Sequence, residues 1–305
     1  METKVTRRDA LKMSALGVGG LAMGSGLTGC PDNSGFEMFP IGEPLDENEM
    51  RITFMGTSVV PRQKQECNSV FVEVGSGDSF VFDCGSGVSS KYNAMGVTPA
   101  RMDKIFLTHL HGDHTSDIIT IYCFGPSSDR KSPLYVFGQG PSGLESPTNP
   151  GTYYDDGVSN FCAHAREACR WHSESFSFQP TRYTNYVAPT RLSWGLPHEP
   201  VPVSNDPPDD AYAMVPITLN WSNVAVAYHN QETRAKVTHY PVIHARKGSM
   251  GFMLEWTPPG TTRPLTMIYS SDTKPETNSV NLACNGTKGV DVFIHEMVVP
   301  AEVWA

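Results

Sequence analysis

Four side chains that can bind a metal fall within six residues: His109, His111, Asp113 and His114, in the stretch 104–117 reading K-I-F-L-T-H-L-H-G-D-H-T-S-D. Neutral imidazoles and a carboxylate are the donors that suit zinc and related divalent cations. Packed into one turn without a cation, three imidazoles and an acid would form a costly cluster. The bland alternative is a histidine-rich surface turn that traps metal adventitiously. The context argues against it, because H-x-H-x-D-H directly follows an apolar run and precedes a helix-like one. Ile105-Phe106-Leu107 has the length and residue types of a buried strand. Strand side chains repeat every two residues, so His109 and His111 can share a face as the strand ends. Gly112 then permits the sharp turn that brings Asp113 and His114 inward.

The elements that must position this loop can be read from the pattern on either side. Arg51–Met55, Ser69–Val74 and Ser79–Asp83 are expected strands, the last two joined by a hairpin signal at Gly75-Ser76-Gly77-Asp78. Phe82-Asp83-Cys84-Gly85 closes that hairpin in a carboxylate and a glycine, making Asp83 a candidate for orienting the ligand loop by hydrogen bonding. Ser89–Gly96 and Asp113–Phe124 read as helices, Leu134–Phe137 as a strand, and Asp155–Phe176 as the longest helix, with a core stripe that includes Phe161, Cys162, Ala165 and Cys169. Gln179–Asp210 is Pro-rich and aromatic and reads as the body of an insertion or lid, which we extend to about 179–235. Strands follow at Val224–Tyr228, Lys236–Val242, Met250–Trp256 and Leu265–Tyr269, then a helix at Glu276–Asn285 and a last strand at Val290–Ile294. Two sets of strands with helices between them make a layered α/β protein.

One loop cannot complete a tetrahedral site, so further ligands must come from other strand ends. His244 and Asp272 each stand just after an expected strand. These motifs together resemble the metallo-β-lactamase superfamily. The Ser271-Asp272-Thr273 and His244–Phe252 runs are similar to its ribonuclease Z and arylsulfatase branch, which has Gly-Asp-Thr at the former place. The stretches 102–109 and 121–127 further resemble metallo-hydrolases of the guanitoxin-biosynthesis type. The resemblance covers residue 51 onward, apart from the insertion, and implies a four-layer αββα sandwich over residues 49–305. It implies two divalent ions, zinc first, with manganese or iron as alternatives. His109, His111 and His244 would hold one, Asp113 and His114 the other, and Asp272 would bridge. In such centres two cations about 3.5–4 Å apart share a hydroxide and stabilise both attacking and leaving oxygens. Asp113 would orient that nucleophile, and His295-Glu296, similar to the family's His-Glu-Ala motif, would supply a general acid, so Asp113, His295 and Glu296 are the candidate catalytic residues.

The pattern departs in one place. The family has one more metal histidine after the His-Glu motif, whereas only nine residues follow Glu296 here. We therefore expect a C-terminally truncated domain, with His198, His229 and His239 as the available substitutes, and with His164 and His172 of less weight. The function implied is a metal-dependent hydrolase acting on a small phosphodiester or sulfate ester. A β-lactamase is disfavoured by the bridging aspartate. Alternatives are a lactone or thioester hydrolase, or a non-catalytic metal-binding envelope lipoprotein. A homodimer is compatible with this reading.

Residues 1–29 read as an address. Thr6-Arg7-Arg8-Asp9-Ala10-Leu11-Lys12 resembles a twin-arginine export motif, Met13–Gly26 a short apolar region, and Leu27-Thr28-Gly29-Cys30 a lipobox. Residues 30–48 would then be a tether from a lipid-modified Cys30 to the domain. The expected location is periplasmic or membrane-anchored. Formal net charge is −9, and processing would remove four cations against two acids. With no basic block beyond the N-terminus, charge argues against a bulk nucleic acid as partner. Six cysteines other than Cys30 could form disulfides in an oxidising envelope. Cys162 and Cys169 are excluded as a pair, because seven residues of helix separate them by about 10.5 Å.

Overall fold

Alternation along the strands sorts side chains into two buried layers, one on each face of a central sheet. The computed structural model describes residues 45–62, 65–177, 211–245, 247–284 and 289–296. The first sheet has the order β1 (Met50–Gly56), β2 (Ser69–Val74), β3 (Ser79–Phe82), β4 (Lys104–Phe106), β5 (Leu134–Gln139) and β6 (Met214–Leu219). Its first three strands are antiparallel neighbours, and β3 to β6 run parallel. The second sheet has the order β7 (Ala225–Asn230), β8 (Ala235–Pro241), β9 (Met250–Trp256), β10 (Leu265–Tyr269) and β11 (Val292–Ile294), antiparallel except for the last pair.

On β3 to β5, Phe80, Phe82, Phe106 and Phe137 enter the space between the sheets, while Val81, Ile105, Leu134 and Val136 face the other way. Both faces are therefore apolar, as expected of strands covered on both sides. The ring of Phe106 stacks on Phe137 at 4.3 Å and reaches Phe82 and Phe252 at 5.4 and 5.5 Å, tying the two sheets together. The outer face of the first sheet is covered by α1 (Val88–Ala94), α3 (Ile118–Phe124) and α4 (Val158–Ala168). The short α2 (Gly112–Thr115) carries the ligand loop, and α5 (Arg170–Ser177) follows α4. On the far face of the second sheet, Tyr240, Met253 and Ile268 pack beneath Leu282 and Ala283 of α6 (Thr277–Ala283). The layers read helix, sheet, sheet, helix, which is the αββα sandwich expected from the sequence.

The end of the sandwich remote from the ligand loop is fastened by polar groups. Lys104, at the start of β4, is buried between Asp103 and Asp78 at 3.0 and 3.2 Å. The other Asp78 oxygen accepts from Tyr228 and Thr233 hydroxyls. Trp256 donates its indole N–H to the Ser76 hydroxyl and the Thr233 carbonyl, both at 3.0 Å, clamping β9 to the β2–β3 turn. Trp256→Phe should therefore cost about 0.5–1.5 kcal/mol, the net worth of a hydrogen bond, because the Ser76 hydroxyl still donates to the Thr233 carbonyl at 2.9 Å. Urea unfolding would measure it, and an unchanged midpoint would show that the clamp is dispensable; metal content should not change.

Three expectations are corrected. The 155–176 helix is two helices meeting at Cys169, and 113–124 is likewise two. In the latter, Asp117 precedes α3 and its carboxylate accepts the Ser89 amide of α1 at 2.7 Å, a use that breaks the run. The insertion ends well short of 235, because Met214–Leu219 is β6, in register with β5. Pro216 disguised that strand, and it is tolerated because β6 lies at the edge of the sheet. Residues 178–210, the export and lipobox motifs, and the tether as far as residue 44 lie outside the described residues. The six cysteines are free thiols, with all but Cys284 buried. No helix among the described residues is long and apolar enough to cross a membrane.

Candidate metal centre

The carboxyl ends of five strands converge on one rim of the sandwich, the place where open α/β sheets gather their ligands. Asp83 follows β3, Thr108 and His109 follow β4, His244 follows β8, Ser271 and Asp272 follow β10, and His295 and Glu296 follow β11. Strand order thus brings residues far apart in the chain to one point. The close approach also constrains the backbone. A side-chain carbon at Gly85 would lie 1.9 Å from the Asp113 carbonyl oxygen, so only glycine lets the turn after β3 touch the ligand loop.

His111 Nδ1 lies 3.0 Å from His109 Nε2 and 3.3 Å from His244 Nε2. The donor atoms of these three histidines all lie within 4.8 Å of one another, as do those of His109, His114 and Asp272. His114 Nε2 is 3.3 Å from Asp113 Oδ2 and 3.5 Å from Asp272 Oδ1, while Asp272 Oδ2 is 3.9 Å from His244 Nε2. Asp272 therefore reaches from one group to the other. All six expected ligands are brought together. One detail differs from expectation: the tight second group contains His109, with Asp113 beside it.

The donor set fits divalent ions. Burial, followed by His114 and His111, pushes the His109 imidazole down to about 2, and burial likewise lowers His244. Both rings are neutral near pH 7 and present lone pairs, the form a metal requires. Burial would also lower His114, but Asp83, Asp113 and Asp272 outweigh it and push this ring up to about 12. Burial alone would raise Asp113 and Asp272, yet His114 holds both below the usual carboxylate range. Acids and imidazoles crowded together in this way form a polar cluster that a cation would satisfy.

Asp83 organises the rim from beneath. It is fully buried, and its oxygens accept the Thr108 amide at 2.8 Å, His114 Nδ1–H at 2.7 Å and the Tyr269 hydroxyl at 2.9 Å. The Thr108 hydroxyl contacts Asp83, Ser271 and His109 Nδ1 at 2.8 to 3.1 Å, which fixes the His109 ring. Asp83 and Ser271 have φ of 59° and 54°, two of the three left-handed non-glycine residues described. Backbone strain of this kind persists where surrounding structure dictates it, often at functional sites. Asn68 adds contacts from its Nδ2 to Asp113 and His114 at 3.4 and 3.2 Å. Asn68, Thr108 and Tyr269 were not singled out by the sequence, and Ser271 was named only as part of the Asp272 motif; Thr108 and Tyr269 stand near a ligand at a strand end, whereas Asn68 carries no such signal.

His295 is exposed, with Nδ1 2.7 Å from the Glu296 carbonyl oxygen. The Glu296 carboxylate accepts the Thr273 amide at 2.8 Å, so this expected catalytic residue is placed to hold the Asp272 turn. A cavity of about 370 Å³ opens beside Asp272, lined among others by Phe54, Arg62, Asn68, Tyr269 and His295. Neither exposed His229 nor buried His239 joins the ligand groups, and His198 lies outside the described residues. His172 bonds the Cys123 carbonyl at 2.8 Å, and His164 lies beside Asp155.

Residues 63–121, which include the ligand loop, match the family model of the metallo-beta-lactamase superfamily. A ribonuclease Z of Methanothermobacter thermautotrophicus is 36% identical over 90 residues, 29% of each chain. A ribonuclease BN of an Enterobacter species is 27% identical over 139 residues, 44% of each. The matched stretch thus spans less than half the length of these relatives. Among solved structures, the short form of human tRNase Z superposes with a TM-score of 0.51 at 19% identity, covering 82% of this chain and 79% of that one. That likeness identifies the fold.

Proposed function

We propose that this chain of metallo-β-lactamase fold, similar over part of its length to ribonucleases Z and BN, is a dinuclear hydrolase of small phosphodiesters or sulfate esters. The observation carrying this reading is Asp272, which stands between His114 and His244 and so between the two ligand groups. His109, His111 and His244 would hold one ion, and His114, Asp113 and Asp272 the other. Zinc suits this imidazole-rich set best, with manganese and iron as alternatives. Bound ions would supply an activated water and positive charge against the leaving oxygen. Asp83 holds the His114 ring, Asp113 orients the attacking water, and His295 delivers a proton from Nε2, its Nδ1 being engaged with the Glu296 carbonyl. Phosphodiester chemistry is what the relatives' names share. The acidic chain favours a small anionic ester over a transfer RNA, and the export and lipobox motifs support a periplasmic, Cys30-anchored location.

Metal content per chain, with bis-(p-nitrophenyl) phosphate and a transfer-RNA precursor assayed on the same sample, tests this reading. About two ions with turnover of the small diester are expected. One or none, without turnover after zinc or manganese is added, would sink it. The acid role makes a separate forecast. His295→Ala should cost roughly 10²-fold in kcat when the leaving group is an alkoxide, the usual worth of a general acid. With p-nitrophenolate, which departs unprotonated, the loss should be only a few-fold. Equal losses for both leaving groups would remove His295 from proton transfer.

A further inference from the structure

The cavity beside Asp272 has one side that the chemistry above does not use. Among its lining residues Arg62 is the sole arginine or lysine. Its guanidinium makes no ion pair with a described residue, while its backbone is pinned by reciprocal N–H to carbonyl bonds with Gln65 at 2.9 and 3.2 Å. Gln65 is in turn tied to the Thr57 hydroxyl at 2.8 Å. The cavity's two acids are already engaged, Asp272 with His114 and Glu296 with the Thr273 amide. Arg62 is the one fixed cation lining the cavity, and it is not paired with either acid. The same cavity is lined by Phe54, Val59, Val70 and Ile294. Phe54 and Val59 are 54% and 52% exposed, so these two apolar side chains are left open by the described chain. A volume of about 370 Å³ lies at the small end of ligand pockets and admits a phosphate bearing one ring.

We infer that Arg62 selects the substrate: it binds a non-bridging anionic oxygen of a singly charged ester, while Phe54, Val59 and Ile294 receive an aryl or alkyl substituent on the non-leaving side. The inference rests on the hydrolase reading for its reaction, but its binding component can be measured without turnover. Two assays on metal-loaded protein separate them. The first is calorimetric titration of the singly charged methyl phenylphosphonate into wild type, Arg62→Ala and Arg62→Lys. The second is steady-state hydrolysis of phenyl p-nitrophenyl phosphate, methyl p-nitrophenyl phosphate and the neutral p-nitrophenyl acetate.

Loss of one charge-assisted contact should weaken methyl phenylphosphonate binding about tenfold in R62A, with partial recovery in R62K. KM for the phenyl diester should rise by a similar factor with kcat within a few-fold, and the neutral ester should be unaffected. Wild type should prefer the phenyl over the methyl diester, and Phe54→Ala should erase most of that preference. Unchanged binding and KM in R62A would overturn the proposal even if the enzyme is active. Arg62-dependent binding without any diester turnover would sustain the pocket and sink the hydrolase reading. Metal content and melting temperature of R62A should match wild type, since Arg62 is exposed and touches no ligand.

Discussion

Replacing His109 with alanine is expected to empty one half of the centre. His109 lies close to both donor groups, with His111 and His244 on one side and with His114 and Asp272 on the other, but its single free ring nitrogen binds one ion. His109→Ala and His111→Ala each remove a ligand from the first group and leave His114, Asp113 and Asp272 in place. Metal per chain should therefore fall toward one ion in either variant. Hydrolysis of an activated diester should fall roughly 10³-fold or more, since the ions supply several kcal/mol of transition-state stabilisation. His109 is buried and its Nδ1 is held by the Thr108 hydroxyl, so the variant must be shown to fold. Its melting temperature should be compared with that of chelated wild type. Loss of both ions in the His109 variant, with one retained in the His111 variant, would mean that the second ion depends on His109, and the dinuclear geometry would have to be redrawn.

Much of this centre was legible because its ligands lie either within one short loop or directly after apolar strands. Ser69–Val74, Met250–Trp256 and Leu265–Tyr269 have the same bounds in sequence and structure, being β-branched, apolar or aromatic runs. His109, His111, Asp113 and His114 announce themselves by type and spacing, whereas His244 and Asp272 needed the family resemblance to choose them among strand-end residues. What stayed hidden depended on contacts that local pattern cannot carry. Pro216 is compatible with a strand only because β6 is an edge, which is a fact of the fold and not of the local sequence. Cys169 and Asp117 break helices whose apolar periodicity runs on across them. Glu296 looked catalytic because it follows His295, and only the fold shows that the Thr273 amide lies 2.8 Å from its carboxylate. Thr108 and Ser271 are ordinary residues until their hydroxyls meet across 163 positions of sequence.

Asp83 is where the strained turn and the ligand loop depend on each other most, and its two substitutions should fail differently. Asparagine keeps the shape and tolerates a φ of 59° better than most residues, but removes the charge. The Asp83→Asn protein should fold, yet its amide no longer fixes His114 Nδ1 as the donor that leaves Nε2 for the metal. Metal affinity should drop about 10–100-fold, the usual effect of altering the partner of a metal-ligating histidine. Asp83→Ala goes further: it strands His114 Nδ1, the Thr108 amide and the Tyr269 hydroxyl in the interior and places alanine in a left-handed turn. Breaking a buried charged pair of this kind costs about 3–5 kcal/mol, so the alanine variant should be destabilised even without metal. Competition titration against a zinc chelator and urea unfolding of the metal-free proteins would read the two effects separately. Wild-type zinc affinity in Asp83→Asn would reduce Asp83 to a structural clamp. A wild-type unfolding midpoint in Asp83→Ala would mean that the rim is held together without it.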